Sequence, residues 1–207
     1  MELNDELKGI LNPGKTALLI WDVQNMLVQN IFNTEEFLVH TNKVISLAKK
    51  NNMPVIFSKI TPLPERFESS VRRYFMKKRL MSLKQIPNGY DLTIEPTDSD
   101  IVIPKNTASM FIGTNFEQLL RNAGITTLVI TGIATEFGVE STARDAANRG
   151  FFPVIISDAV SSYNQEAHFR SLENLKALTI LLTTEELNML WNINDGLKNK
   201  SNQTRLC

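Results

Sequence analysis

Short runs of apolar residues alternate with longer amphipathic segments along most of the chain. The runs predict buried strands over residues 16–21, 55–57, 100–103, 127–131, 153–157 and 178–182. The segments between them predict helices over residues 35–51, 114–123, 136–149, 165–176 and 184–191. This alternation is typical of βαβ units. We therefore expect an α/β protein, a three-layer α/β/α sandwich around a mostly parallel, Rossmann-like sheet of about six strands.

One stretch, residues 59–99, interrupts the alternation. It is rich in proline, charge and aromatic residues, which is typical of an excursion that covers a site or an interface. The sequence shows neither an internal repeat nor a second domain. We expect a single domain over residues 1–191, followed by a polar, flexible C-terminal tail over residues 192–207.

The charge balance and the composition limit the kinds of molecule that the protein is expected to bind. Lys and Arg together number 22, as do Asp and Glu, so the formal net charge is zero, which argues against nucleic acid as a partner. No apolar run reaches membrane-spanning length, and the N-terminus MELNDELKG does not resemble a signal peptide. The single cysteine is Cys207. We therefore expect a cytoplasmic protein that acts on a small molecule, with neither nucleic acid nor membrane as a partner.

Two charged residues follow buried strands, at the sheet edge where ligands bind in parallel sheets. Asp22 ends the first strand, and Lys105 comes just after Pro104, which we expect to close the third strand. Taken alone, Asp22 is equally typical of a turn or helix cap, and Lys105 of a surface lysine. Together they would offset each other's burial and shift each other's pKa. We predict that the two side chains meet directly or through one water.

The fourth strand leads into a tight turn and then a helix. Gly132 and the small Ala134 allow close backbone approach, and N–H groups at the start of the helix can bind an anion or an oxyanion. The alternative interpretation is an ordinary strand-to-helix turn.

The three segments together resemble the isochorismatase-like, or cysteine hydrolase, superfamily over roughly residues 14–185. The resemblance rests on Asp22 in DVQN, on Lys105 ahead of SMF and Gly-Thr, and on Gly-Ile-Ala-Thr ahead of the helix segment Thr-Ala-Arg-Asp-Ala over residues 142–146. It implies the parallel-sheet fold, a homodimer or homotetramer, and a cis peptide bond between Ile133 and Ala134.

Position 138 separates this chain from most amidohydrolases of that superfamily. Their nucleophilic cysteine aligns with Gly138, which has no side chain with which to attack a substrate. Some isochorismatases also carry glycine there. The resemblance to them implies that water hydrolyses a vinyl ether, with Asp22 as general acid, Lys105 as its electrostatic partner and Gly138 leaving room for water or substrate. Because Lys105 lowers the pKa of Asp22, burial or an anionic substrate must outweigh it.

The basic run RRYFMKKR, residues 72–79, is a candidate anchor for a substrate carboxylate. Its first two arginines are the best candidates, because guanidinium binds carboxylate through two hydrogen bonds. The alternatives are a contact with a neighbouring subunit and a solvated or interface-lining helix face. The complete set of predicted substrate-binding residues is Gln24, Thr61, Arg72, Arg73, Ile133, Ala134, Thr135 and Phe137.

Metal ligands are scarce. Zinc-binding nicotinamidases carry histidines after the second strand, where this chain reads FSKITPLPERFES. Its two histidines, His40 and His168, lie within predicted helices, where packing or surface roles are favoured over metal binding. We expect no metal and no cofactor.

Three hypotheses of function remain open. The first is water-based hydrolysis of a small carboxylate or amide-like metabolite without a cysteine nucleophile. The second is a catalytically silent member of the superfamily that binds a small ligand or serves in an assembly. The third, amide hydrolysis by water, is disfavoured because amides are poor electrophiles.

Overall fold

The computed structural model of the chain describes the backbone of residues 3–80 and 86–191, and the side chains of residues 5–75 and 86–191. The strands are β1 (Thr16–Trp21), β2 (Val55–Ile60), β3 (Ile101–Lys105), β4 (Thr127–Ile133), β5 (Phe152–Ser161) and β6 (Ile180–Leu182). They form one parallel sheet in the order β3-β2-β1-β4-β5-β6. The order reverses between β1 and β4, where ligands of such sheets bind.

Helices cover both faces of the sheet and confirm the three-layer architecture. They are α1 (Leu3–Ile10), α2 (Asn25–Val28), α3 (Thr34–Lys50), α4 (Ser70–Leu80), α5 (Phe116–Asn122), α6 (Glu140–Asn148), α7 (Gln165–Leu175) and α8 (184–191). Buried side chains of α3 and α8 belong to one core cluster, and those of α5, α6 and α7 to the other.

The burial of β1 explains why its sequence is apolar at nearly every position. Its residues are all buried. Leu18 and Ile20 pack into the first core cluster, whereas Leu19 and Trp21 pack into the second, on the side of α6. Successive side chains of a strand point to opposite faces, so a strand covered on both faces is apolar throughout.

Several element ends differ from the predicted ones. The prediction that Pro104 closes the third strand was wrong, because β3 runs through Pro104 to Lys105 and pairs with β2 up to Ile60. An edge strand tolerates proline, since one side of its backbone needs no partner. The helix expected from Thr114 begins instead at Phe116, whose N–H donates to the Thr114 hydroxyl at 3.1 Å.

The excursion after β2 returns to the end of β1. The N–H groups of Asn25 and Met26 donate to the carbonyl oxygens of Asp91 and Gly89, both at 2.9 Å. The predicted excursion therefore contacts the carboxyl edge of its own sheet.

No helix within the described residues is long and apolar enough to cross a membrane. The predicted tail over residues 192–207, including Cys207, lies outside the described residues.

Candidate active site

Asp22 and Lys105 meet at the carboxyl edge of the sheet, as predicted. Lys105 Nζ donates to Asp22 Oδ2 at 2.6 Å. Both side chains are buried, with 2% of the lysine and 4% of the aspartate exposed. Asp22 follows β1 and Lys105 ends β3. Because β2 lies between these two strands in the sheet, the side chain of Lys105 extends past β2 to reach Asp22.

Ser58 lies on β2, the strand between β1 and β3, and was not among the predicted site residues. Its hydroxyl donates to Asp22 Oδ1 at 2.6 Å and accepts the backbone N–H of Asp22 at 2.9 Å. The predicted second strand ended at Phe57, three residues before β2 ends at Ile60, and so left out Ser58. A serine at the carboxyl end of a buried strand was the available signal.

The backbone at Asp22 turns sharply to present its carboxyl group. Its φ of 45° lies in the left-handed region, which is uncommon for residues other than glycine but tolerated by aspartate. The carbonyl oxygen of Asp22 accepts the N–H of Gln24 at 2.8 Å, which tightens the turn. Such conformations cluster at functional sites.

Burial raises the pKa of Asp22 above its ordinary value, and this effect outweighs Lys105, Ser58 and Arg72, which all lower it. Burial likewise lowers the pKa of Lys105 against the opposing influence of Asp22. Both directions follow because burial disfavours the charged form of either group. The carboxyl group therefore keeps its proton to higher pH than an ordinary aspartate, which suits a general acid.

Two further groups hold the ammonium of Lys105. Nζ donates to the carbonyl oxygen of Thr107 at 3.2 Å and lies 4.1 Å from the ring centroid of Trp21. The second contact is a cation–π interaction with a residue that the sequence analysis did not single out.

The two candidate arginines of α4 separate in the structure. Arg72 donates to the carbonyl oxygen of Asn106 at 2.8 Å, and its charge lowers the pKa of both Asp22 and Lys105. Arg72 Nε also pairs with a carboxylate oxygen of Glu68 at 3.3 Å. Arg73 is instead half-exposed, and its ion pair with Glu65 at 3.0 Å lies at the surface. Only Arg72 is therefore brought to the site.

The side-chain amide of Gln24 is occupied by backbone. Its Oε1 accepts the N–H of Ile60 at 2.9 Å, and its Nε2 donates to the carbonyl oxygens of Ile60 and Tyr90. This residue ties β2 and the excursion to β1. The backbone N–H of the exposed Thr61 donates to the carbonyl oxygen of Lys105 at 3.3 Å, which places Thr61 at the rim.

The turn after β4 contains the expected cis peptide bond between Ile133 and Ala134. Thr135 begins a π-helical turn (Thr135–Val139) that runs into α6. Its hydroxyl lies 2.8 Å from His168 Nδ1 and donates to the carbonyl oxygen of Ser161 at 3.2 Å, so this side chain is engaged away from Asp22.

Phe137 lies at the surface of the same turn. The residue is 40% exposed, and its ring stacks on that of Tyr163, with 6.4 Å between centroids. Phe137, which was predicted to bind substrate, is therefore an exposed aromatic residue on the surface of this turn.

Residues 16–186 match the isochorismatase domain family. The chain belongs to the isochorismatase family, whose members are hydrolases. It is 30% identical over 175 residues to the ureidoacrylate amidohydrolase RutB of Pseudomonas savastanoi pv. phaseolicola, covering 72% of this chain and 71% of that protein. It is also 30% identical to YecD of Escherichia coli O157:H7, an uncharacterized isochorismatase family protein, covering 80% of this chain and 89% of YecD.

Solved structures of the isochorismatase fold superpose on most of the chain. A cysteine hydrolase from Pseudomonas syringae pv. phaseolicola matches with a TM-score of 0.79 and 18% identity, covering 87% of this chain and 94% of the other. An isochorismatase family protein from Burkholderia thailandensis matches with a TM-score of 0.71 and 27% identity, covering 87% and 97%.

Gly138 corrects one expectation drawn from the family resemblance. We expected this glycine to leave room for water or substrate. A Cβ atom at position 138 would instead lie 1.8 Å from Nε1 of Trp21. The space beside Gly138 is therefore filled by the indole of Trp21.

Within the described residues, no group of three or more His, Cys, Asp or Glu side chains is arranged to hold a metal ion. His168 is buried beside Thr135, and burial lowers its pKa. His40 Nδ1 lies 3.2 Å from a carboxylate oxygen of Asp158. Both histidines thus have the packing or surface surroundings that the sequence analysis favoured.

Proposed function

We propose that this isochorismatase-family protein hydrolyses a small carboxylate or amide-like metabolite, with water as nucleophile and no cysteine nucleophile. Asp22 acts as general acid and base, and the favoured substrate is a vinyl ether. The observation that carries the proposal is the buried Asp22, whose pKa is raised by burial while Lys105 and Ser58 hold both its oxygens.

The reaction follows from the proton on Asp22. Transfer of that proton to the terminal vinyl carbon leaves an oxocarbenium ion, and the neighbouring C–O carbon takes up water. A proton of that water returns to Asp22, and the resulting hemiketal breaks its C–O bond to give a carbonyl compound and an alcohol. Lys105, 2.6 Å away, stabilises the carboxylate while its proton is gone.

Position 138 supports the absence of covalent catalysis. The resemblance aligns Gly138 with the nucleophilic cysteine of amidohydrolases, and Trp21 fills the adjacent space. Cys207 is the only cysteine of the chain and lies far from this segment in sequence. A nucleophilic thiol is therefore not part of the proposal.

Arg72 supplies the positive charge for a substrate carboxylate. Its side chain is 19% exposed and pairs with Glu68 at 3.3 Å, and its charge lowers the pKa of Asp22 and of Lys105. The N–H groups of Phe137 and Val139 donate to the carbonyl oxygen of Ala134, so the second anion-binding element that we propose consists of the other N–H groups at the start of the turn at Thr135. We also propose a homodimer or homotetramer, from the resemblance, and a cytoplasmic location, from the composition.

The alternative is a silent family member that binds a small ligand. The low exposure of Asp22 and Lys105 favours it, because a closed centre limits the entry of substrate. Retention of a buried acid with a raised pKa favours the hydrolase, since ligand binding alone does not require it.

A substrate screen tests the proposal. Wild type and Asp22→Asn are incubated with isochorismate, nicotinamide, ureidoacrylate and small carbamoyl compounds, and products are identified by mass spectrometry. We expect turnover by wild type that Asp22→Asn lacks. Equal turnover by both proteins would exclude Asp22 as the acid, and turnover by neither would favour the silent binder.

A further inference from the structure

Trp21 ends β1 beside the reaction centre and has no part in the proposed chemistry. Its side chain is 2% exposed. Its backbone pairs with Gly132 of β4, where a Cβ atom would lie 2.1 Å from the carbonyl oxygen of Trp21. Gly132 has a φ of 122°, at which a side chain would point into the backbone of Trp21, so this position requires glycine.

The indole of Trp21 takes the space of any side chain at position 138. A Cβ atom on Gly138 would lie 1.8 Å from Nε1, 2.0 Å from Cε2 and 2.3 Å from Cζ2 of the ring. A buried ring in a close-packed core has little room to move aside. Trp21 and Gly138 are therefore a complementary pair.

The same ring contacts the ammonium of Lys105, with Nζ 4.1 Å from its centroid. A cation–π interaction is stronger at a desolvated site than at an exposed one. The ring thus helps to keep Nζ at the position from which it donates to Asp22.

The N–H group of the Trp21 indole has no hydrogen-bond acceptor within the part of the chain that the structure describes. The other tryptophan differs, because the N–H of Trp191 donates to the carbonyl oxygen of Leu11 at 3.1 Å. Buried tryptophans usually have such a partner. This donor therefore lacks a partner among the described residues, and the ring that carries it contacts Lys105, which donates to Asp22.

We propose that Trp21 is a further ligand-binding residue of this centre. Its indole N–H donates to an acceptor oxygen of a bound carboxylate or amide, while the ring holds Lys105 on Asp22 and excludes a side chain at position 138. The inference rests on the proposed function for the location of the centre and for the class of ligand.

The experiment uses the indole N–H resonances of the full ¹⁵N-labelled chain. The sequence contains two tryptophans, so Trp191→Phe assigns both resonances. Sodium acetate and acetamide serve as the smallest carboxylate and amide probes. We expect one of them to shift the Trp21 resonance saturably while the Trp191 resonance stays in place. Failure of both probes to shift it, or equal shifts of both tryptophans, overturns the proposal.

A second measurement tests the complementary pair without a ligand. Melting temperatures are compared for wild type, Gly138→Ala, Trp21→Leu and the double variant. We expect Gly138→Ala to lower Tm by about 2–12 °C, as overpacking does in a protein of this size, and to cost less in the Trp21→Leu background. A Gly138→Ala protein with the wild-type Tm would contradict the packing on which the inference rests. If Gly138→Ala does not fold, recovery of folding in the double variant supports it and failure to recover overturns it.

These measurements are separate from the test of hydrolysis. A saturable Trp21 shift, combined with full turnover by Asp22→Asn, would refute the proposed function and leave the ligand-binding role of Trp21 in place. The opposite result would remove Trp21 from the site while Asp22 keeps its role.

Discussion

The hydroxyl of Ser58 donates to Oδ1 of Asp22 at 2.6 Å while it accepts the backbone N–H of the same residue at 2.9 Å. This double contact fixes both the backbone turn at Asp22 and the direction of its carboxyl group. Since Lys105 binds the other carboxyl oxygen, Asp22 is held from two sides by residues of β2 and β3.

Asp22→Asn should lower kcat by about 10²- to 10⁴-fold on the substrate that the screen identifies. The amide has nearly the shape of the acid but cannot transfer the proton. Circular dichroism and Tm establish that the variant is folded. A variant that retains more than a tenth of the wild-type kcat would contradict the assignment of the acid.

Lys105→Met should lower the free energy of unfolding by about 3–5 kcal/mol at a pH above the raised pKa of Asp22, because the buried carboxylate then lacks its charged partner. Urea unfolding measures the loss. Lys59→Met is the matched control, since Lys59 forms an exposed pair with Asp91 at 3.5 Å and such pairs contribute about 0–1 kcal/mol. Equal effects of the two substitutions would contradict the structure of the buried pair.

Ser58→Ala should move the alkaline limb of the kcat/KM profile to higher pH. The hydrogen bond from Ser58 lowers the pKa of Asp22, so its removal raises that pKa further. A general acid is active in its protonated form, and a higher pKa extends that form to higher pH. Ser46→Ala on the exposed side of α3 is the control. A shift to lower pH would contradict the role of Asp22 as an acid.

Arg72→Gln should raise KM for a carboxylate substrate by about 10- to 100-fold, the loss of one charge-assisted hydrogen bond. Arg73→Gln should leave KM unchanged, because Arg73 is half-exposed and, unlike Arg72, is not a charge that shifts the pKa of Asp22 or Lys105. Steady-state kinetics of both variants on the same substrate decide the matter. A larger effect of Arg73→Gln would show that the neighbouring arginine binds the substrate.

Iodoacetamide should leave activity intact. The only thiol of the chain is that of Cys207, and the proposed mechanism uses water. Mass spectrometry confirms labelling, and Cys207→Ser serves as the unlabelled control. Loss of activity on alkylation, absent from Cys207→Ser, would show that this thiol lies near the site, for example in a neighbouring subunit.

The sequence by itself determined the layers of the fold and the two charged ends of the site. Buried parallel strands must be apolar on both faces, and this local requirement is visible in β1 (Thr16–Trp21) without knowledge of any contact. The positions of Asp22 and Lys105 followed as well, because parallel strands bring their carboxyl ends to one edge.

The tertiary structure alone decided which side chains complete the site. Ser58 contacts Asp22 because β2 lies between β1 and β3. That position of β2 depends on the order of strands in the sheet, which the sequence does not give. The assignment of Arg72 rather than Arg73 depends on the direction in which each side chain leaves one helix turn.

The pairing of Trp21 with Gly138 shows the reason most clearly. The two residues are far apart in sequence, and each is an ordinary residue of its element when taken alone. Their relation is one of volume, since the indole takes the space that a side chain at position 138 would need. The hydrophobic pattern of the sequence indicates which residues are buried. Which of these buried residues are in contact is decided by close packing across the core.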